Sequence, residues 1–390
     1  MDAKSAAQAR IQSAREGLID LSHRIHAHPE LGFEEEQASV WLCEALSDAG
    51  FAVEKGICGL PTAFRARAGS GPLHVGICAE YDCLPGIGHA CGHNIIAASA
   101  VGAALAAAAV ADGLGLTISV IGTPAEEVGN ASGKILLLER GAFAGIHAAM
   151  MVHPAPFDVL RAKIIAASMF EVHCTGKASH ASAFPELGVN AADALTIAQT
   201  ALGLLRQHIR STDRIHGIIT NGGAAPNVIP ARTSAKYIIR SENLEQLADL
   251  RPRVYRCFEA GALATGAKLE IAGGDKPYAE MHHHQTMAEL YRRNSQALGR
   301  PIPDAPELEA RPTASTDMGN VSLAIPSIHP MIDIHSLPAV NHQPEFTQHC
   351  VTPDADKALT DGALAMAWTC IDLATLPVRE ELLAHQIRQY

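Results

Sequence analysis

The sequence predicts an α/β protein of two domains, the second inserted into the first. Three observations carry this reading. At 390 residues the chain exceeds the size at which a single core stops growing. Between residues 73 and 152, short apolar runs alternate with longer helical patterns, the rhythm of a largely parallel sheet covered by helices. From 168 to 272 the rhythm changes to strand, helix, strand, strand, helix, strand, which is the split βαβ sandwich.

Two helical patterns open the chain, at 5–28 and 34–50, with Pro29 and Gly32 as breakers between them. Strands are expected at 73–79, 116–121 and 147–152, and helices at 94–111 and 132–141. In the second domain the strands fall at 168–175, 215–221, 232–240 and 268–272, with helices at 189–208 and 244–264. The remainder of the chain holds too few elements for a core of its own. The first domain is therefore 1–165 together with 276–390, around an insert at 166–275.

Hydrophobic residues make up 48% and charged residues 18%, the balance of a globular chain. The net charge is −11 and no basic run occurs, which argues against nucleic-acid binding. The polar N-terminal stretch shows no secretory pattern. The longest apolar stretch, 95–111, is Ala-rich, interrupted by Ser99 and Gly102, and too short for a membrane span. Nine cysteines, scattered and odd in number, fit reduced thiols in the cytoplasm rather than a disulfide framework.

Chemistry gathers at predicted strand ends, the edge at which open α/β sheets bind ligands. The first strand runs into Glu80-Tyr81-Asp82, the second leads to Glu126-Glu127, and the third ends at His153. Cys91 and His93 flank a glycine where an Ala-rich helix opens, so both can point at one ion. A buried thiol beside a capping histidine is the alternative. Adjacent carboxylates repel unless a cation sits beside them, and one that is not a ligand can serve as general base. The run 282–284 (three histidines) reads as an exposed loop cluster without function, and His23, His26 and His28 as surface or packing residues of the first helix.

The segments HAHPELGFEE, AEYDCLPGIGHACGHN, GTPAEEVGN, MMVHP, GKASHAS, HGIITNGGAAPNVIPA and STDMGNVS together resemble metallopeptidase family 20. Within it the sequence is similar to subfamily D, and especially to its β-alanyl-lysine dipeptidase and aminobenzoyl-glutamate hydrolase branch. Asn94 favours that branch over the auxin-conjugate hydrolases, which carry Asp there. The resemblance implies a zinc-peptidase-like catalytic domain with a mixed sheet and an inserted ferredoxin-like βαββαβ dimerisation domain. It implies metal ligation by Cys91, His93, Glu127 and His153, with His342 as the last ligand and His329, His335 and His349 as nearby rivals. Glu126 takes the role of general acid/base, and Asp82 that of the acid orienting a ligand. His180 matches a histidine given to the partner subunit's site, and Asn227 with Arg240 the pair that grips the substrate carboxylate. Arg240 also reads as a surface salt bridge when the resemblance is set aside.

The expected activity is metal-dependent hydrolysis of the amide bond of N-acyl amino acids or dipeptide-like substrates. Two divalent ions per subunit are implied, zinc or manganese, with cobalt also compatible, in a cytoplasmic homodimer. Alternatives are an aminopeptidase-like or deacylase specificity without carboxylate recognition, a catalytically inactive metal-binding relative, and a metal-free thiol amidase using Cys91.

Overall fold

The computed structural model describes residues 2–310 and 312–385. They form two compact units. One comprises Met1–Val128, Ser132–Ile164 and Met281–Tyr390, and the other Gly129–Ala131 and Ile165–Glu280.

The six-stranded sheet of the first unit runs in the order Ala52–Lys55, Phe64–Gly69, Leu116–Gly122, Leu73–Ala79, Ala148–Met150, Ser327–Ile328. The last four strands are parallel, and the first two add antiparallel at one edge, so the sheet is mixed. That edge hairpin escaped the sequence reading because its apolar signal is weak. Phe64 and Ala66 are buried, but Arg65 and Arg67 alternate with them and Ala52–Lys55 is largely exposed.

The run expected as one strand at 147–152 divides. After Ala148–Met150 the chain changes partner, and His153–Ala155 pairs in parallel with Met331–Asp333. Both halves are buried, so the apolar run is continuous in sequence although the strand is not.

The helix His93–Ala108 is buried from its first residue through Ala107 and stops short of the expected 111. It packs against the helices Ala3–Ala27 and Pro353–Thr375 and against the strands Leu73–Ala79 and Leu116–Gly122. Its small side chains permit this. A Cβ on Gly102 would lie 2.9 Å from Leu18 Cδ1 and 3.0 Å from the Ala363 Cβ. Leu18, Ala103, Met287 and Leu359 share one core, so the C-terminal part completes the first unit. Among the described residues no helix is long and apolar enough to cross a membrane.

The second unit has an antiparallel sheet in the order Lys268–Gly273, Ala166–Thr175, Arg232–Ser241, Arg214–Asn221. The helices Ala191–Leu205 and Leu244–Thr265 pack on it, covering the alternating buried residues Phe170, Val172 and Cys174. This is the ferredoxin-like βαββαβ order. The expected limit at 275 falls short of the compact unit's end at Glu280, because Tyr278 exchanges two backbone hydrogen bonds with Ala167, at 2.8 and 3.0 Å. Gly129–Ala131 joins the same unit, since Asn130 Oδ1 accepts from Gly274 N and Lys276 N at 3.0 and 3.2 Å. In the first unit Met281 N donates to Ile164 O at 3.3 Å, so the residues flanking the insert are neighbours.

Candidate metal centre and active site

The parallel strands deliver their C-terminal ends to one edge. Glu80 and Asp82 follow Leu73–Ala79 and are fully buried. Beyond Leu116–Gly122, Thr123 ties the two strand ends together, with its N–H and hydroxyl both donating to Ala79 O, at 2.8 and 2.9 Å. Ala125 then takes a left-handed conformation, φ 58°, held by the Glu35 carboxylate, which accepts its N–H at 2.7 Å. Glu126 and Glu127 follow directly. The Cys91–His93 turn bends at Gly92, φ 79°, where a Cβ would meet Pro154 Cγ at 2.4 Å. Only glycine suits both that backbone and that approach. His342, also left-handed at φ 69°, is anchored by its N–H to Ala90 O at 2.9 Å.

Five side chains converge there. Cys91 Sγ lies 3.5 Å from His153 Nε2, and Glu127 Oε1 lies 3.8 Å from His93 Nε2 and 3.6 Å from His342 Nε2. Cys91, His93 and His153 offer donor atoms within 4.8 Å of one another, as do Cys91, Glu127 and His342. The other ring nitrogens of His93 and His153 are engaged elsewhere. His93 Nδ1 meets Asp82 Oδ1 at 2.9 Å, and His153 Nδ1 meets Pro154 O at 2.8 Å. Asp82 Oδ2 also accepts the backbone N–H of Glu127 at 2.9 Å, so one carboxylate orients the His93 ring and holds the backbone of Glu127. His93 Nε2 and Glu127 Oε1 are buried without a hydrogen-bond partner. Orphaned donors of S, N and O type at this spacing fit divalent cations, because two ligands each ~2.1 Å from one ion stand roughly 3.0–3.4 Å apart, a little more with sulfur. Burial pushes the Cys91 thiol and the Glu127 carboxyl up from their ordinary values.

Of the rivals to His342, His335 is exposed and pairs with Asp333 at 3.0 Å, and His349 ends the short helix Pro344–His349. His329 is buried beside His153, ring centroids 5.4 Å apart, and neither ring nitrogen has a hydrogen-bond partner. Burial pushes its pKa down to about 3.

Glu126 belongs to two groups at once, one with His93 and Glu127 and one with Glu80 and Asp317. Burial, then the charges of Glu80 and Glu127, push its carboxyl well above the ordinary range. At the centre of the second group is a fully buried lysine. Lys134 Nζ lies 2.5 Å from Glu80 Oε1 and 2.6 Å from Asp317 Oδ1. Burial opposes its charge, but Asp317 and Glu80 outweigh that and hold its pKa well up. Likewise burial opposes the Glu80 charge, and Lys134 draws that carboxyl down to about 2. The sequence reading passed over Lys134, and gave Glu35 and Asp317 no role beyond their places in HAHPELGFEE and STDMGNVS.

The run 282–284 is not an exposed cluster. His283 Nε2 meets Ala162 O at 3.0 Å, while His284 caps the helix Gln285–Ala297 and pairs with Glu381 at 3.2 Å. His23 and His26 bind Asp356 and Thr347 O, both at 2.8 Å, tying the first helix to the C-terminal part.

In the second unit His180 and Asn227 are neighbours. Ala181 N donates to Asn227 O at 3.0 Å, and both His180 and Asn227 are exposed. His180 Nδ1 accepts N–H bonds from Ser182 and Ala183 at 3.3 and 3.2 Å, which leaves the ring proton on Nε2. Arg240 is elsewhere. It pairs with Arg214, six residues along the hairpin from the Ser234–Asn221 pair that precedes the Asn227 loop, a distance of ~20 Å. Arg240 is half-buried, and its Nε approaches His216 Nε2 at 3.3 Å. Within one chain, Asn227 and Arg240 are not brought together.

Residues 166–265 match the profile of a peptidase dimerisation domain. The Xaa-Arg dipeptidase of Mus musculus is 38% identical, with 96% of this chain and 89% of that protein covered. One of the p-aminobenzoyl-glutamate hydrolase polypeptides of Escherichia coli K12 is 33% identical over 67% of this chain and 58% of its own length. Among solved structures, a dinuclear metal-binding peptidase of the M20 family from Bacillus subtilis superposes with a TM-score of 0.69 at 22% identity, covering 93% of this chain and 99% of that one. The aminobenzoyl-glutamate utilization protein from Klebsiella pneumoniae gives 0.71 at 18% identity, covering 92% and 96%. The structural likeness identifies the fold, and the identity to the mouse protein extends the relationship along nearly the whole chain: it belongs to the M20 peptidase family and is an amide-bond hydrolase.

Proposed function

We propose that this chain is a homodimeric cytoplasmic metalloamidohydrolase acting on N-acyl amino acids or dipeptides with a free α-carboxylate. The observation that carries the site chemistry is the position of Glu126, shared between the converging donors and a buried charge cluster. Cys91, His93, Glu127, His153 and His342 would hold two divalent ions, zinc or manganese, with cobalt compatible. Such ions supply Lewis acidity, polarising the amide carbonyl and easing deprotonation of water. Glu126, kept from full solvation by burial, takes the proton of the attacking water and returns it to the leaving amine. Asp82 fixes the tautomer of His93 through Nδ1.

His180, with its proton on Nε2, donates to the developing oxyanion of the partner subunit's site. Arg240 and Asn227 grip the carboxylate. Their separation along the hairpin supports a site drawn from two chains, with His180 and Asn227 from one subunit and Arg240 from the other. The nine cysteines are all unpaired, which supports a reducing compartment. The names of the two relatives, Xaa-Arg dipeptidase and p-aminobenzoyl-glutamate hydrolase, support a substrate with an amino acid on the amine side.

Glu126→Gln tests the reading. The amide keeps the shape of the side chain but cannot take a proton. The variant is expected to retain its metal while turnover falls on the order of 10²–10⁴-fold. Near-normal activity, or loss of metal with the fold intact, would overturn the assignment of Glu126.

A further inference from the structure

We infer that Glu80 is an additional metal ligand, meeting through Oε2 the ion that His93 holds. The inference rests on the metal-centre reading above and extends its ligand set. Glu80 is fully buried at the end of Leu73–Ala79, and its two oxygens have different surroundings. Oε1 is taken by Lys134 Nζ at 2.5 Å. Oε2 has no hydrogen-bond partner and faces His93 Nε2, itself partnerless, at 3.4 Å.

That distance is long for a hydrogen bond. It equals the edge between two ligands standing ~2.1 Å from one tetrahedral ion. It also matches the other donor pairs of the centre, which lie at 3.5, 3.6 and 3.8 Å. Charge leads to the same place. Glu80, Asp317 and Lys134 together leave one negative charge buried, and a buried charge needs a partner or a cation. The space among Glu80, Glu126 and Asp317 already holds the Lys134 ammonium, so a further cation belongs on the Oε2 side, next to His93. Glu80 therefore joins the lysine cluster to the metal centre, one oxygen to each.

The test uses metal-stripped full-length protein titrated with cobalt(II), read by calorimetry and by the visible absorption of the bound ion. Wild type is expected to bind two ions per subunit. Glu80→Gln still accepts from Lys134, which keeps Asp317 as its ionic partner. It should bind one ion at least ~10-fold more weakly, with an altered absorption band. Asp317→Asn disturbs the same lysine from its other side and should bind both ions as wild type does. The inference is overturned if Glu80→Gln binds both ions normally, or if Asp317→Asn weakens binding as much, since the effect would then run through Lys134. Should the Gln variant not fold, Glu80→Asp keeps the charge beside Lys134 but shortens the reach by one carbon. It must then show the same selective loss, and normal binding overturns the inference. If wild type binds no cobalt, the metal-centre reading itself fails, a result distinct from a defect confined to the Glu80 variants.

Discussion

Glu35 takes no part in the converging donors, yet it sets the conformation of the residue before Glu126. Its Oε1 accepts the Ala125 N–H and its Oε2 the Thr62 hydroxyl, at 2.7 and 2.9 Å, in a site closed to solvent. Burial, with the Asp82 charge second, raises its pKa from 4.5 to about 7. The folded chain therefore holds this proton more tightly than the unfolded one. Its contribution to stability is intact below pH 4.5, is lost as pH rises toward 7, and stays lost above that. A shift of this size corresponds to about 3 kcal/mol. Glu35→Gln is always neutral and escapes this loss. Urea unfolding at pH 5 and pH 7.5 should show the variant gaining on wild type at the higher pH, and parallel behaviour would contradict the assigned shift. The sequence pointed to Asp82, Glu126, Glu127 and His153, because acids and histidines after apolar runs lack a packing reason to be there, and to Cys91 and His93 because they flank a glycine where a helix opens. It did not point to Glu35, Lys134 or the buried state of Glu80. A charge on a helix or in a loop looks solvated until tertiary packing removes the water.

The helix His93–Ala108, which opens on the candidate ligand His93, is immobilised along its whole length. Asn94 is anchored to the Ser22 hydroxyl and to Cys350 O at 2.9 and 3.0 Å, and Gly102 brings the neighbouring helices into contact. Gly102→Val adds a branched side chain where even a Cβ meets Leu18 and Ala363. Overpacking there should cost about 1–3 kcal/mol, read as a lower melting temperature. An unchanged melt would mean that the contact is soft. The Ala-rich pattern made this helix legible, but its partners were not, since Leu18 and Ala363 lie at opposite ends of the chain. The strand at 147–152 failed for the opposite reason. Hydrophobicity reports burial, and both halves are buried while pairing with different strands.

At the scale of the whole molecule, His180 and Arg240 lie toward different ends of the second unit's sheet, and the proposal takes them from two copies of the chain. His180→Ala and Glu126→Gln should each be inactive. Unfolded together and refolded as mixed dimers, they should regain activity, because one site then has an intact base and an intact partner histidine. No recovery in heterodimers confirmed by mass would place His180 within its own subunit's site or outside catalysis. The βαββαβ order of this unit was legible from element order alone. Its limits were not, because Tyr278 and Asn130 attach through hydrogen bonds to the backbone that leave no mark on composition.

The hydrogen bond from Met281 to Ile164 also bears on the order in which the chain acquires its structure. To the first unit, the whole inserted segment is a single loop whose ends must meet. The entropy of closing a flexible loop grows only with the logarithm of its length. An insert that has already folded, with Ala167 and Tyr278 zipped together, presents those ends as neighbours before the first unit has closed. The strands Ser327–Ile328 and Met331–Asp333, which pair with Ala148–Met150 and His153–Ala155, both follow the insert in the chain. Topology thus places the insert early in folding and the donor-bearing edge, with its late-arriving His342, near the end.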